Sequence, residues 1–170
     1  MDKFIGRNSE LSLLDRLWES KQAQLLVLYG RRRVGKTRLL TYWIREHSAR
    51  ALYWVAEPSS SKDQLRSFSQ TIYRFSHPNA VVPPTFTYAS WEQALEQVDI
   101  MAKEERFALF LDEFTYLLAH DPGIAGVFQN AWDHRLQQSN VFMVLCGSHM
   151  GMMQRYTLAY QAPLYGRALS

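Results

Sequence analysis

One loop, at residues 30–37, limits most strongly how this chain can fold. It reads Gly-Arg-Arg-Arg-Val-Gly-Lys-Thr and separates a short apolar run at residues 24–29 from an amphipathic segment at residues 36–47. The apolar run predicts a buried strand, and the spacing of apolar residues in the second segment predicts a helix. A strand that leads through a glycine loop into a helix is typical of a parallel sheet covered by helices.

The same loop fits the pattern G-x-x-x-x-G-K-[ST], in which backbone amides at a helix N-terminus cradle phosphate groups. The two glycines let the backbone fold closely around a phosphate. Lys36 is predicted to reach the β- and γ-phosphates, and the Thr37 hydroxyl is predicted to bind Mg²⁺. We call residues 30–37 the predicted phosphate loop. The predicted nucleotide contacts here are Gly30, Arg31, Arg32, Arg33, Val34, Gly35, Lys36, Thr37 and Arg38.

The basic charge of the chain is concentrated at this loop. Nineteen Lys and Arg residues against 16 Asp and Glu residues give a formal net charge of +3. Five of the basic residues lie at positions 31–38, so the rest of the chain has 14 basic and 16 acidic residues, a balance of −2. This distribution argues against a broad DNA-binding face and for one anionic ligand. The three arginines at 31–33 either attract phosphate or are solvated charges.

The rest of the chain alternates in the same way. Apolar runs at residues 51–56, 107–111 and 141–146 predict three more buried strands, separated by amphipathic helical segments. Three prolines within residues 77–88 predict a loop. We therefore expect an α/β fold, a three-layer P-loop NTPase sandwich with a mostly parallel central sheet.

An acidic pair, Asp112 and Glu113, follows the strand predicted at residues 107–111. An apolar run that ends in Asp-Glu is the Walker B pattern, which is weak alone because many strands end in acidic residues. Combined with a phosphate loop, it predicts that Asp112 holds Mg²⁺ through water. Glu113 is then predicted to orient or deprotonate the water that attacks the phosphate.

A polar segment also follows the strand predicted at residues 141–146. Ser148 can touch the γ-phosphate or its attacking water if this strand lies between the other two motif strands; otherwise it is a turn residue. His149 is expected to be a surface or packed histidine. Cys146 is the only cysteine and is expected to be an unreactive, buried strand residue.

Several other classes of protein are excluded by the sequence. The histidines show no metal-binding spacing and form no cluster with cysteine, which argues against a zinc site. A single cysteine excludes an intrachain disulfide framework. No apolar run reaches the roughly 18 residues that a membrane span needs, and the first residues lack the apolar stretch of a signal peptide. We therefore expect a cytoplasmic domain that does not enter a membrane.

In collinear order, these motifs resemble those of the archaeal-type ATPase family, a group of signal-transducing, AAA+-related P-loop ATPases. The similarity includes the opening Phe-Ile-Gly-Arg-Asn-Ser-Glu-Leu at residues 4–11 and the predicted phosphate loop with its arginines. It continues through residues 110–114 and 145–148 to Ala-Pro-Leu-Tyr-Gly-Arg at residues 162–167. The resemblance therefore spans the whole chain.

The resemblance implies further site residues. Ile5, Gly6 and Arg7 would line the adenine pocket, and Arg167 would sense or stabilise the γ-phosphate. Arg167 would act from its own chain or from a neighbouring copy, and the second case implies self-association; a plain surface arginine is the alternative. The implied cofactors are ATP and Mg²⁺, and the absence of a guanine-specific N-K-x-D sequence agrees with adenine.

The resemblance also bears on domain organisation, because members of the family continue into a lid, a winged-helix region and sometimes a nuclease-like domain. We expect residues 1–170 to be one P-loop ATPase domain, the N-terminal fragment of a longer protein, without its last strand and lid. DNA or protein partners would be contacted only by regions outside this chain.

The sequence thus predicts Mg²⁺-dependent ATP binding and hydrolysis by a domain that acts as a regulatory switch. One alternative is a nucleotide-gated binding module with negligible hydrolysis. Another is the ATPase part of a DNA-associated protein, for which salt-dependent DNA binding would have to survive neutralisation of the three arginines at 31–33.

Overall fold

The computed structural model describes residues 7–29, 35–47, 49–153 and 155, and strands and helices alternate along them. The strands are β1 (Gln24–Tyr29), β2 (Ala51–Val55), β3 (Ala108–Asp112) and β4 (Phe142–Gly147). The helices are α1 (Asn8–Glu19), α2 (Lys36–His47), α3 (Ser61–Ser76), α4 (Trp91–Glu104), α5 (Phe114–His120), α6 (Ile124–His134) and α7 (Met150–Met153). In this described part of the chain, every helix is too short or too polar to cross a membrane.

The four strands form one parallel sheet in the order β1-β4-β3-β2. In this order β4 lies between β1 and β3, with Tyr29 opposite Gly147 and Leu111 opposite Leu145. The three strands that precede the sequence motifs are therefore neighbours, and their carboxyl ends lie at one edge of the sheet. The sheet confirms the expected α/β class and its parallel strands.

Helices cover both faces of the sheet, which makes the three expected layers. On one face α1 and α2 pack over β-strand side chains, and Trp43 of α2 is fully buried there. Its ring lies edge-on to those of Trp18, Phe110 and Phe142, with centroids 5.7, 6.0 and 6.0 Å away. Its Nε1 donates a hydrogen bond of 2.8 Å to Asp15. Residues of α3 to α7 form the second core cluster, on the opposite face.

The structure differs from the sequence prediction on either side of residue 123. The sequence pattern did not identify α5, because a helix of seven residues is too short to show a clear amphipathic period. The amphipathic helical segment that precedes the strand predicted at residues 141–146 is divided into α6, which ends at His134, and a short 3₁₀ turn, Leu136–Gln138. The loop predicted at residues 77–88 has no helix or strand, as expected.

We expect Trp43→Ala to lower the free energy of unfolding by about 3–5 kcal/mol, because it removes a fully buried ring and leaves a cavity between helix and sheet. Denaturant unfolding followed by circular dichroism measures this change. Val81→Ala is the control, since Val81 is 94% exposed and its truncation should leave stability unchanged. Equal stability of the two variants would contradict the packing described here.

Candidate functional site

Two predicted metal ligands meet at the carboxyl edge of the sheet. Asp112 is the last residue of β3, and Thr37 lies in the first turn of α2. The Thr37 hydroxyl donates a hydrogen bond of 2.8 Å to Asp112 Oδ2, although 75 positions separate the two residues. Parallel strands with aligned ends bring these two distant segments together.

Asp112 is 2% exposed and accepts hydrogen bonds on both carboxylate oxygens. Oδ2 accepts from the hydroxyls of Thr37 and Tyr53, and Oδ1 accepts from the Glu113 backbone N–H at 2.8 Å. Three donors compensate a carboxylate for the water that it loses on burial. The hydrogen bonds also restrict the orientation of the carboxylate plane.

Tyr53, in β2, is a part of this site that the sequence analysis missed. Burial, and then its hydrogen bond to Asp112, raise the pKa of the Tyr53 phenol well above its usual range. The hydroxyl therefore stays a neutral donor at any physiological pH. No signal in the sequence identifies Tyr53, because its closeness to Asp112 depends on the pairing of β2 with β3.

The start of α2 explains the second glycine of the predicted phosphate loop. Gly35 has a φ of +81°, a left-handed backbone conformation that glycine adopts without strain. A residue with a side chain would be strained at this φ, so the backbone conformation by itself favours glycine here. Its carbonyl accepts the first helical hydrogen bond from Leu39, and Lys36 follows it with only 8% exposure.

Glu113 and Ser148 lie side by side at the same edge. Glu113 has a left-handed backbone, with φ 52° and ψ 38°, which is uncommon for a residue with a side chain and costs about 1 kcal/mol or more. The Ser148 hydroxyl, directly after β4, donates to Glu113 Oε2 at 3.3 Å. β4 does lie between β1 and β3, which is the condition that the sequence analysis set for Ser148.

Cys146 and His149 are placed as expected. Cys146 is completely buried, and burial together with the nearby Asp112 carboxylate raises the pKa of its thiol above the usual range. His149 is exposed, and its Nδ1 accepts a hydrogen bond of 3.1 Å from the Met152 backbone N–H at the start of α7.

The remaining predicted nucleotide contacts fall into two groups. Arg7 directly precedes α1 and lies 4.0 Å from the Glu10 carboxylate, while Arg38 is exposed on the first turn of α2. The others lie outside the described residues: Ile5, Gly6, Gly30, Arg31, Arg32, Arg33, Val34 and Arg167.

The donor atoms at this edge suit Mg²⁺. A threonine hydroxyl and an aspartate carboxylate are hard oxygen ligands, and they lie in hydrogen-bond contact with each other. Mg²⁺ usually binds one or two carboxylates and completes its shell with water and substrate phosphates. Thr37 and Asp112 therefore fit an ion that is shared with a phosphorylated ligand.

Comparison with known proteins agrees with this arrangement. A family model described as an ATPase domain predominantly from Archaea matches residues 4–169. The chain belongs to this archaeal ATPase family. The match covers nearly the whole chain, and it confirms the family resemblance inferred from the motifs.

Relatives of this archaeal ATPase domain include longer proteins. An uncharacterized protein of Methanocaldococcus jannaschii is 31% identical over 168 residues, which are 96% of this chain and 34% of that protein. An uncharacterized ATP-binding protein of the same organism is 54% identical over 37 residues, 22% of this chain and 63% of the relative. The chain thus spans about a third of the length of the first relative.

Solved structures show the same fold. A Walker-type ATPase of Pyrococcus abyssi superposes with a TM-score of 0.69 and 22% identity, covering 96% of this chain and 51% of that one. Cdc6p of Pyrobaculum aerophilum gives a TM-score of 0.67 and 17% identity, covering 99% of this chain and 46% of that one. The archaeal ATPase domain described here therefore corresponds to about half of each of these chains.

We expect Cys146 to react with an aromatic disulfide reagent at pH 8 on the order of 10³-fold or more slowly in the folded protein than in denaturant. The raised pKa keeps the thiol protonated, and access to it requires opening of the fold. Val81→Cys is the matched control, because it adds an exposed thiol to the same molecule. Absorbance should show one fast and one slow thiol; two fast thiols would contradict the burial.

Proposed function

We propose that this domain binds ATP with Mg²⁺ and hydrolyses it. The observation that carries the proposal is the Thr37–Asp112 hydrogen bond at the carboxyl edge of the sheet, with Glu113 and Lys36 beside it. Membership of an archaeal ATPase family and the ATP-binding relative support the same conclusion.

The phosphates would be bound at the N-terminus of α2. Lys36, at the first position of this helix, would supply a positive charge, and the backbone amides of the predicted phosphate loop would supply hydrogen bonds. Thr37 and Asp112 would hold Mg²⁺, which when bound neutralises phosphate charge. In this proposal Ile5, Gly6 and Arg7 contact adenine.

The attacking water would be handled by Glu113. Its carboxylate would orient the water and accept its proton, which is the role that a general base has in hydrolysis. Ser148, whose hydroxyl donates to Glu113 Oε2, would hold that carboxylate in place or contact the same water. In this proposal Arg167 supplies a further positive charge to the γ-phosphate, from its own chain or from a second copy.

A binding module with negligible hydrolysis is the second candidate. The contact between Ser148 and Glu113 favours it, because a hydrogen bond donated to Oε2 stabilises the charged carboxylate and so makes it a weaker base. In both cases ATP would act as the signal of a regulatory switch. Association with DNA stays a prediction about regions outside this chain.

Glu113→Gln should keep ATP binding and lose hydrolysis. Glutamine preserves the size of the side chain but is a very weak base, so we expect single-turnover hydrolysis to fall by about 10²–10⁴-fold. Isothermal titration measures ATP affinity, and release of labelled phosphate measures turnover. Lys36→Ala is the companion variant, which should lose affinity itself.

Hydrolysis at the wild-type rate by Glu113→Gln would remove Glu113 from its proposed role. A wild-type chain that binds ATP tightly without turnover would establish the binding module instead. A wild-type chain that binds no ATP would contradict both candidates.

Ser148→Ala tests whether the Ser148 hydroxyl helps Glu113 to act as a base or hinders it. If the hydroxyl positions Glu113 for catalysis, turnover should fall by up to about 10²-fold with ATP affinity unchanged, because a misplaced catalytic group loses its geometry. A higher single-turnover rate in Ser148→Ala would show instead that Ser148 restrains Glu113. We expect the decrease.

A further inference from the structure

We propose that Tyr53 is a positioning residue for the metal site, and that its hydroxyl holds the Asp112 carboxylate in the orientation that binds Mg²⁺ beside ATP. The inference rests on the proposed function and goes beyond it, because it assigns a role to a residue on a strand that carries no nucleotide motif. It identifies β2 as a contributor to the affinity for the ion.

The pairing of β2 with β3 places Tyr53 within reach of Asp112. Tyr53 is opposite Phe110, and Val55 is opposite Asp112, so Tyr53 and Asp112 are diagonal neighbours on adjacent strands. Side chains two positions apart along a strand point to the same face of the sheet, and long side chains reach across such diagonals. The phenol therefore spans from the middle of β2 to the end of β3, where its hydroxyl donates to Asp112 Oδ2.

Packing keeps the phenol in this direction. The Tyr53 ring contacts the core cluster under α1 and α2, and its centroid lies 6.4 Å from that of Phe110. The side chain is half-buried, so part of the ring is held by its core neighbours. A donor that is held by packing orients its acceptor better than a mobile surface group does.

The hydrogen bonds of Asp112 show why the orientation of its carboxylate would depend on Tyr53. Oδ1 is bonded to the Glu113 backbone N–H, while Oδ2 is bonded to two hydroxyls, those of Thr37 and Tyr53. Thr37 is itself a proposed ion ligand, so its hydroxyl oxygen has a second task at this site. Tyr53 lies on the neighbouring strand, paired with Phe110, two residues before Asp112. The only role proposed for its hydroxyl is to orient the Asp112 carboxylate. Partners of this kind commonly set metal affinity through the ligand that they hold.

Tyr53→Phe tests the proposal, because it removes the hydroxyl and keeps the ring. The probe is Mn²⁺, titrated into the chain with a saturating non-hydrolysable ATP analogue and followed by electron paramagnetic resonance of the free ion. We expect Mn²⁺ affinity to fall by about tenfold. Affinity for the analogue in EDTA should match the wild type. The midpoint of denaturant unfolding should fall only slightly, because Thr37 and the Glu113 backbone N–H still donate to the carboxylate.

Tyr73→Phe is the matched control. Tyr73 lies on α3, where its ring stacks on His77 at 4.3 Å between centroids, outside the metal site. This variant loses the same phenol oxygen and should bind Mn²⁺ as the wild type does. If turnover is present, Tyr53→Phe should raise the Mg²⁺ concentration for half-maximal rate, and excess Mg²⁺ should restore the rate.

Wild-type Mn²⁺ affinity in Tyr53→Phe would overturn the role of Tyr53 and leave the proposed function standing. Loss of analogue binding in EDTA, or a lower unfolding midpoint that accounts for the weaker Mn²⁺ binding, would also overturn it by showing a structural role. A wild-type chain that binds neither the analogue nor Mn²⁺ with it would overturn the proposed function itself.

Discussion

The Asp112 carboxylate lies at the end of a buried strand, and the neighbouring segments must supply hydrogen-bond donors to it. A buried carboxylate is costly unless it is hydrogen-bonded, and here α2, β2 and the turn into α5 each supply a donor. These donors come from three separate parts of the chain. The carboxylate is therefore both the centre of the proposed ion site and a point where the architecture is held together.

The packing of α1 and α2 against the sheet depends on aromatic side chains. Trp43 anchors α2 to the sheet through Phe110 and Phe142, and its indole N–H is bonded to Asp15 of α1. Because α2 is fixed in this way, its first turn holds Thr37 against the end of β3. The core packing of α2 thus contributes to the placement of Thr37 beside Asp112.

The local elements were largely predictable from the sequence. The bounds of β1 and α2 agree with the pattern, because a continuous apolar run and a clear helical period are strong local signals. Asp112, Glu113 and Ser148 were predicted as site residues because they follow buried strands of a parallel sheet, whose carboxyl ends lie together; their roles stay predictions. The short α5 was not predicted, since seven residues carry too little periodicity. Neither was the left-handed conformation of Glu113, which depends on the sharp turn from β3 into that helix.

The sequence by itself determined the fold class and the family, and it named Thr37, Asp112, Glu113 and Ser148 as groups of the proposed site, but not Tyr53. Spacing, apolar runs and side-chain chemistry are local properties and can be recognised without coordinates. Only the tertiary structure decided which of these groups touch. Strand order placed β4 between β1 and β3, which brought Ser148 to Glu113, and strand register brought Tyr53 to Asp112. The physical reason is that strand pairing joins segments far apart in the chain, and similar apolar runs give no indication of which pair or in what register.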